Sequence, residues 1–341
     1  MIINKKNIET NLSMKIGKDN HNHLLKMRID KLTLVTSAIS RKARTNIYRK
    51  LSILFVIRSK IYTIERKKLS FEHPYNKSLK ITFKKESSPM LVHISFDPKY
   101  KNVGDLRLDF RPQHCSPKEM SRLVIWLNRK LGDEFKESLT RAWLTQVDVA
   151  LDIYKCKLHD YIWGFSRASK GEYYKTENGL PGFKMGSSRS RLHVLCYEKI
   201  DATNSRHLVN SEKGNFIDIC LKKHSHFLRM EIRFRPNTRP KVTLEEKSIR
   251  DHLLKIENIF SKIQVYSTDL IPKLLENKPI KINKNEQSIF EIKKKILKST
   301  GNSILPRKYK RMIQKYKVEL LNINSIWEKW HLCVSCLGSV L

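Results

Sequence analysis

The 341-residue chain carries 68 Lys and Arg against 33 Asp and Glu, a formal net charge of +35, and 40% of its residues are hydrophobic. That hydrophobic share excludes wholesale disorder, and the length allows one large domain or two ordinary ones. No apolar run nears the roughly 20 residues that span a bilayer, and the N-terminus lacks the apolar stretch of a secretion signal, so the expectation is a cytoplasmic protein with a polyanionic partner and no membrane.

Residues 1–26 read as a flexible basic arm. Residues 1–70 hold 17 basic and 4 acidic side chains, residues 71–280 hold 38 and 25, and residues 281–320 hold 12 and 3. Two basic flanks around a nearly ordinary middle point to nucleic acid, because each cation placed on a phosphate releases condensed counterions. A peripheral membrane helix would set apolar residues opposite the charges. Residues 41–68 instead run through β-prone segments such as Ile53-Leu54-Phe55-Val56-Ile57.

Ile29–Thr36 alternates like a first strand, and Leu79–Phe83, Leu91–Phe96 and Leu106–Phe110 read as strands. Ser116-Pro117-Lys118-Glu119 starts a helix to about Lys130, with Met120, Leu123, Val124 and Leu127 on its apolar stripe. Trp143–Ile153 reads as a strand and His159–Arg167 as a short helix. Phe183–Met185, the Gly186-Ser187-Ser188 turn and Leu192–Lys199 form a hairpin, and Phe227–Phe234 is a further strand. From Leu244 the spacing turns helical, Pro272 and Pro279 punctuate a linker, and a basic helical tail covers 286–321, interrupted at Gly301 and Pro306. The expected class is α+β: an antiparallel sheet core with flanking helices over 27–240, then a helical basic C-terminal region over 241–341. The cysteines, including the isolated Cys333-Val334-Ser335-Cys336, read as reduced thiols.

Period-2 alternation places Gln146, Asp148, Ala150 and Asp152 on one face of their strand, Arg229, Glu231 and Arg233 on one face of theirs, and His193, Leu195, Tyr197 and Lys199 together on a third. If the three strands share a sheet, Asp148, Asp152 and Glu231 gather where Mg²⁺ or Mn²⁺ could take hard oxygen ligands. Such an ion polarises a phosphodiester, and a tyrosine beside it can be the nucleophile. An antiparallel sheet with one wet face carries charges there in any case. His224-Ser225-His226 has only a superficial likeness to a His-hydrophobic-His metal pair; it fits a polar strand approach or a phosphate contact better.

These same residues carry a resemblance. Thr145-Gln146-Val147-Asp148-Val149-Ala150-Leu151-Asp152 resembles the TRIDLAxD strand of plasmid and phage rolling-circle replication initiators of the Rep_trans type. The segment from Phe183 through Gly186-Ser187-Ser188-Arg189-Ser190 to Tyr197-Glu198-Lys199 resembles their YxGSRxS…YDK, and Arg229-Met230-Glu231-Ile232-Arg233 their RxElR strand. Leu106–Phe110 with Ser116-Pro117 resembles their approach to the core. Order and spacing agree over about residues 79–240, with Gln146, Met185 and Glu198 departing from the pattern.

The resemblance implies an endonuclease and strand-transferase that nicks one strand of a replication origin through a 5′-phosphotyrosine, using Mg²⁺ or Mn²⁺. Tyr197 would be the nucleophile, with Tyr173 and Tyr174 as alternatives, and Lys199 its catalytic companion. Asp148, Asp152 and Glu231 would bind the metal, and Ser187, Ser188, Arg189, Arg191, Arg229 and Arg233 the DNA. Host helicase and polymerase would be partners, and a homodimer is compatible with this. A non-catalytic DNA-binding replication protein and a conjugative relaxase on the same core are the alternatives.

Overall fold

The computed structural model describes residues 13–15, 24–84, 88–166, 168–176, 179–201, 206–207, 226–236, 248–276 and 280–338. Most of the expected arm, His224-Ser225 and Cys220 lie outside the described residues. In chain order the elements are β1 (Ser13–Lys15), β2 (Leu24–Thr36), α1 (Arg41–Leu54), β3 (Tyr62–Arg66), β4 (Tyr75–Phe83), β5 (Met90–Pro98), β6 (Leu106–Phe110), α2 (Pro117–Leu131), α3 (Asp133–Thr140) and β7 (Trp143–Tyr154). Then come β8 (Tyr161–Phe165), β9 (Gly171–Lys175), β10 (Pro181–Met185), β11 (Leu192–Asp201), β12 (Arg206–His207), β13 (His226–Phe234), α4 (Ile249–Leu254), β14 (Ile263–Ser267), α5 (Leu270–Leu275), α6 (Ile289–Thr300), α7 (Arg307–Lys315), α8 (Ile323–Trp327) and α9 (Trp330–Ser335).

One antiparallel sheet runs β3-β4-β5-β6-β2-β7-β13-β11-β10-β9, with β1 beside β2 and β12 beside β11. The α+β class with a large antiparallel sheet and flanking, including C-terminal, helices is therefore what the chain adopts. The two longest strands, β2 and β7, lie side by side at its centre. Their alternation sends Leu32, Leu34, Val147, Val149 and Leu151 into the core, together with Met230, Ile232, Val194 and Cys196 from β13 and β11. The opposite face carries Asp148, Asp152, Arg229 and Glu231 among its side chains.

Helices close the apolar face. Ser116 caps α2 and Glu119 returns the bond, so both orphan donors at that end are satisfied. The helix then buries Met120, Leu123, Val124, Leu127 and Leu131. The β-prone reading of 41–68 holds at β3 and is corrected over Arg41–Leu54: Ser40 caps α1, and Ala43, Ile47, Leu51 and Leu54 recur at helical spacing on its buried side. The helix expected over 159–167 is a turn of 3₁₀ helix at Leu158–Asp160 followed by β8, which pairs with β14. Aromatic and branched residues in Tyr161-Ile162-Trp163 favour the extended state, and the β14 partner lies a hundred residues away. The linker expected around Pro272 is helix α5. Gly301, at φ +64°, ends α6, as the tail reading placed it.

The C-terminal region shares the main core: Leu253, Phe260, Ile326, Trp330 and Val334 join it, while Ile162, Leu270, Ile292 and Ile313 belong to a second cluster around β8 and β14. Five cysteines are free thiols, four of them buried. Among the described residues no helix is long and apolar enough to cross a membrane.

Leu127 has no solvent exposure. Leu127→Ala is expected to lower stability by about 2–5 kcal/mol, the cost of lost burial plus a cavity. The urea midpoint checks this; an unchanged midpoint would contradict its place under the sheet.

Candidate active site

Register decides which polar residues meet. Arg229 of β13 lies opposite Asp152 of β7 and opposite Tyr197 of β11, while Glu231 lies opposite Ala150 and Leu195, and Arg233 opposite Asp148 and His193. All of them face the polar side. Asp148 and Glu231 are then diagonal neighbours, about 7–8 Å apart at the backbone and closer at their side chains. A bulge in β2 between Ile29 and Lys31 brings Asp30 into the same group.

The acids divide into two kinds. Asp152 is completely buried and doubly neutralised: Arg229 Nε and Nη2 sit 2.5 and 2.9 Å from its two oxygens, and Arg28 bonds it from the other side. Arg229, itself without exposure, reaches on to Asp30 at 3.1 Å and Gln113 at 3.4 Å. Burial pushes the Asp152 carboxyl up, but Arg229 and Arg28 outweigh it and hold the group at about 2. Of the expected metal ligands, Asp152 has both oxygens engaged by guanidinium groups, and of the expected DNA contacts, Arg229 has no solvent exposure and bridges Asp152 and Asp30.

Asp148 and Glu231 have looser partners than Asp152 has. Gln146 Nε2 donates to both Asp148 oxygens at 2.8 and 3.1 Å, and Arg233 approaches at 3.4 Å. Burial nonetheless raises the Asp148 pKa. Burial, then Asp30 and Asp148, raise that of Glu231. The Gln146 departure from the family pattern thus orients a carboxylate.

Tyr197 Oη donates to Glu231 Oε2 at 3.2 Å. Lys199, just past a bulge after Glu198, keeps its Nζ 5.1 Å from the Tyr197 ring centroid. Burial and then Glu231 hold the phenol well above its usual range, and burial, then Arg229, lower the Lys199 ammonium. Glu198 points the other way and accepts from the Leu158 N–H at 2.9 Å.

The alternative tyrosines separate. Tyr173 lies opposite Phe183 on the apolar side, its ring 4.8 Å from Phe183 and its oxygen accepting from Gln287 N–H at 2.9 Å. Tyr174 shares the polar face and covers Gly182, where an added Cβ would meet its ring at 2.4 Å. Sequence reading missed Asp30, because a bulge defeats strict alternation. It also missed a second buried carboxylate, Asp109, held by Lys31 and Arg107 at 3.0 Å and Thr33 at 2.5 Å; alternation in Leu106–Phe110 was the available signal.

Of the residues expected to contact DNA, Arg189, Ser187 and Ser188 lie exposed on the turn that Gly186 makes at φ +80°, Arg191 is exposed beside it, and Arg233 is partly exposed.

Among the described residues no group of three or more His, Cys, Asp or Glu converges to hold a metal. Asp148 and Glu231 as a pair fit a hard divalent cation, which commonly takes one or two carboxylates, with waters and substrate phosphate completing its shell. Burial, the largest cause for both, pushes the two carboxyls towards the protonated form.

No protein-family model and no curated protein matches the chain. Among solved structures it is similar to the rolling circle replication initiator protein from Geobacillus stearothermophilus, at 15% identity over 82% of this chain and 99% of that one, with a TM-score of 0.35. That likeness is too weak to carry function across.

Asp152→Asn is expected to destabilise the fold by about 3–5 kcal/mol, because buried guanidinium charge loses its partner. The sign follows from the lowered pKa: the Asp152 contribution is complete above its unfolded value and disappears as pH falls through about 2. Urea midpoints measured against pH check both; an unchanged acid limb in Asp152→Asn would contradict them.

Proposed function

We propose that this protein nicks one strand of DNA and holds the new 5′ end on Tyr197, the opening step of rolling-circle replication from an origin. The observation that carries the reading is the Tyr197–Glu231 hydrogen bond of 3.2 Å, with Asp148 diagonal to it and Lys199 over the phenol ring. The +35 charge supplies the polyanion partner.

In the reaction Tyr197 Oη attacks the scissile phosphorus, the new O–P bond forms, and the P–O3′ bond breaks, the departing 3′ oxygen taking a proton from water to become a 3′-hydroxyl. Glu231 accepts the hydrogen bond along which the phenol proton leaves. Lys199 offsets the phenolate, whose formation burial otherwise opposes. Arg233, partly exposed at the rim, is placed to hold a neighbouring phosphate while it orients Asp148. Asp148 and Glu231 would hold Mg²⁺ or Mn²⁺. The ion, when bound, would supply positive charge for the scissile phosphate and draw down the phenol pKa. The 3′-hydroxyl suits priming by a host polymerase after helicase unwinding; a conjugative relaxase would use the same steps at a different origin.

Tyr197→Phe is expected to abolish nicking of supercoiled origin DNA in Mg²⁺, and Glu231→Gln to slow it by about 10²–10⁴-fold. Chelation should stop the unaltered protein. Nicking by Tyr197→Phe at the original rate would overturn the assignment. Tight DNA binding without nicking by the unaltered protein, in Mg²⁺ or Mn²⁺, would favour a binding-only replication protein.

A further inference from the structure

Two cavities flank the hairpin turn between β10 and β11. The larger, about 630 Å³, is bounded by Phe165, Ala168 and Leu192 and carries Lys170, Lys184 and Ser187. The smaller, about 260 Å³, lies against Phe234, Pro236 and Ile259 and carries His252, Lys255 and Lys262. Arg191 and Leu192 line both, so the two chambers adjoin across Arg191 and are together called the trough.

We infer that this trough is a binding groove for single-stranded nucleic acid, with unstacked bases in the chambers and backbone phosphates along its cationic rim. The inference rests on the nucleic-acid part of the function proposed above and is independent of the tyrosine chemistry. The chemistry of the walls selects the ligand. Each chamber pairs an apolar or aromatic wall with several cations, which is what a base and its phosphate require together. The acids present, Glu172 and Glu257, are outnumbered in each chamber, and Lys184 already holds Glu172 at 3.0 Å. The larger chamber falls within the range of small-ligand pockets, large enough for one nucleotide and too small for a stacked duplex. The Arg191 guanidinium lies 5.1 Å from the Phe234 ring centroid, a planar cation backed by an aromatic face.

The rim is held in place before any ligand arrives. Arg235 Nη1 donates to the carbonyls of Ser188 at 2.5 Å and Ser190 at 3.0 Å, and its N–H donates to the Arg191 carbonyl at 2.9 Å. These bonds pin the turn that presents Ser187 and Arg191, so little ordering remains to be done on binding. Leu192 and Tyr197 belong to the same strand, separated by five residues. The odd separation puts the two side chains on opposite faces of the sheet, so the trough opens at the hairpin end of β11, about 16 Å along the strand backbone from Tyr197.

The test is fluorescence anisotropy of a labelled single-stranded oligonucleotide and of its duplex, using the full chain. Arg191→Ala removes a side chain that lines both chambers, and Ser169→Trp fills the larger chamber from an exposed wall residue without changing charge. Each is expected to weaken single-strand binding by about tenfold or more, with duplex binding within about threefold of the unaltered protein. Lys99→Ala, an exposed cation elsewhere, serves as the charge control. Binding is read in chelator, where no nicking takes place, which separates failure of the groove from failure of the nicking chemistry. Single-strand affinities equal to the Lys99→Ala control, a parallel loss on duplex, or a loss confined to one of the two groove variants would each overturn the inference.

Discussion

A fully buried arginine fixes the geometry of the polar face. Arg229 has no exposure and is bonded to Asp152 and Asp30, with Arg28 closing on Asp152 from the neighbouring strand. Desolvating these charges costs several kcal/mol per ion, and the cost is offset only if every partner is in place. β2, β7 and β13 therefore tolerate one register. A slip of one residue in any of them would drive an arginine or a carboxylate into the layer occupied by Val149, Leu151 and Met230. Tyr197 is the cross-strand partner of Arg229, so the same constraint that locks the sheet also aims the phenol.

Within that frame, chemistry is distributed by charge balance. Asp152 and Asp109 sit among enough cations to remain ionised, and their role is to hold strands together. Asp148 and Glu231 sit on the same face and are drawn towards protonation by burial, which their neighbouring cations do not outweigh. Acids whose pKa is held down by arginines hold the fold, and acids whose pKa is raised are candidates for chemistry. In the proposed reaction the basic surface would bring DNA phosphate close to carboxylates that would otherwise repel it, and a divalent ion between the two would offset that repulsion.

Much of this was legible in the sequence because strand alternation is local. Leu106–Phe110 and the strands carrying Asp148, Tyr197 and Glu231 could be read from their own residues, as could the α2 start at Ser116-Pro117-Lys118-Glu119. What escaped depends on partners distant in the chain. α1 was obscured by a run of branched residues at its end, and β8 has its partner, β14, beyond residue 260. The division of labour between Asp152 and Asp148 was invisible, because period-2 places both on one face and says nothing about which has arginines. Asp30 is displaced by a bulge that no local pattern announces. Tyr173 and Tyr174 were separable only once β9 was paired with β10.

The central claim is that the sheet directs its reactive chemistry through Tyr197. The most direct measurement is proteolysis of the protein–DNA adduct formed in Mg²⁺ or Mn²⁺ on a suicide substrate, followed by mass spectrometric identification of the residue carrying the 5′-nucleotide. The account predicts a nucleotidyl mass on the peptide containing Tyr197. A mass on a peptide containing Tyr174, or on any other residue, would contradict it.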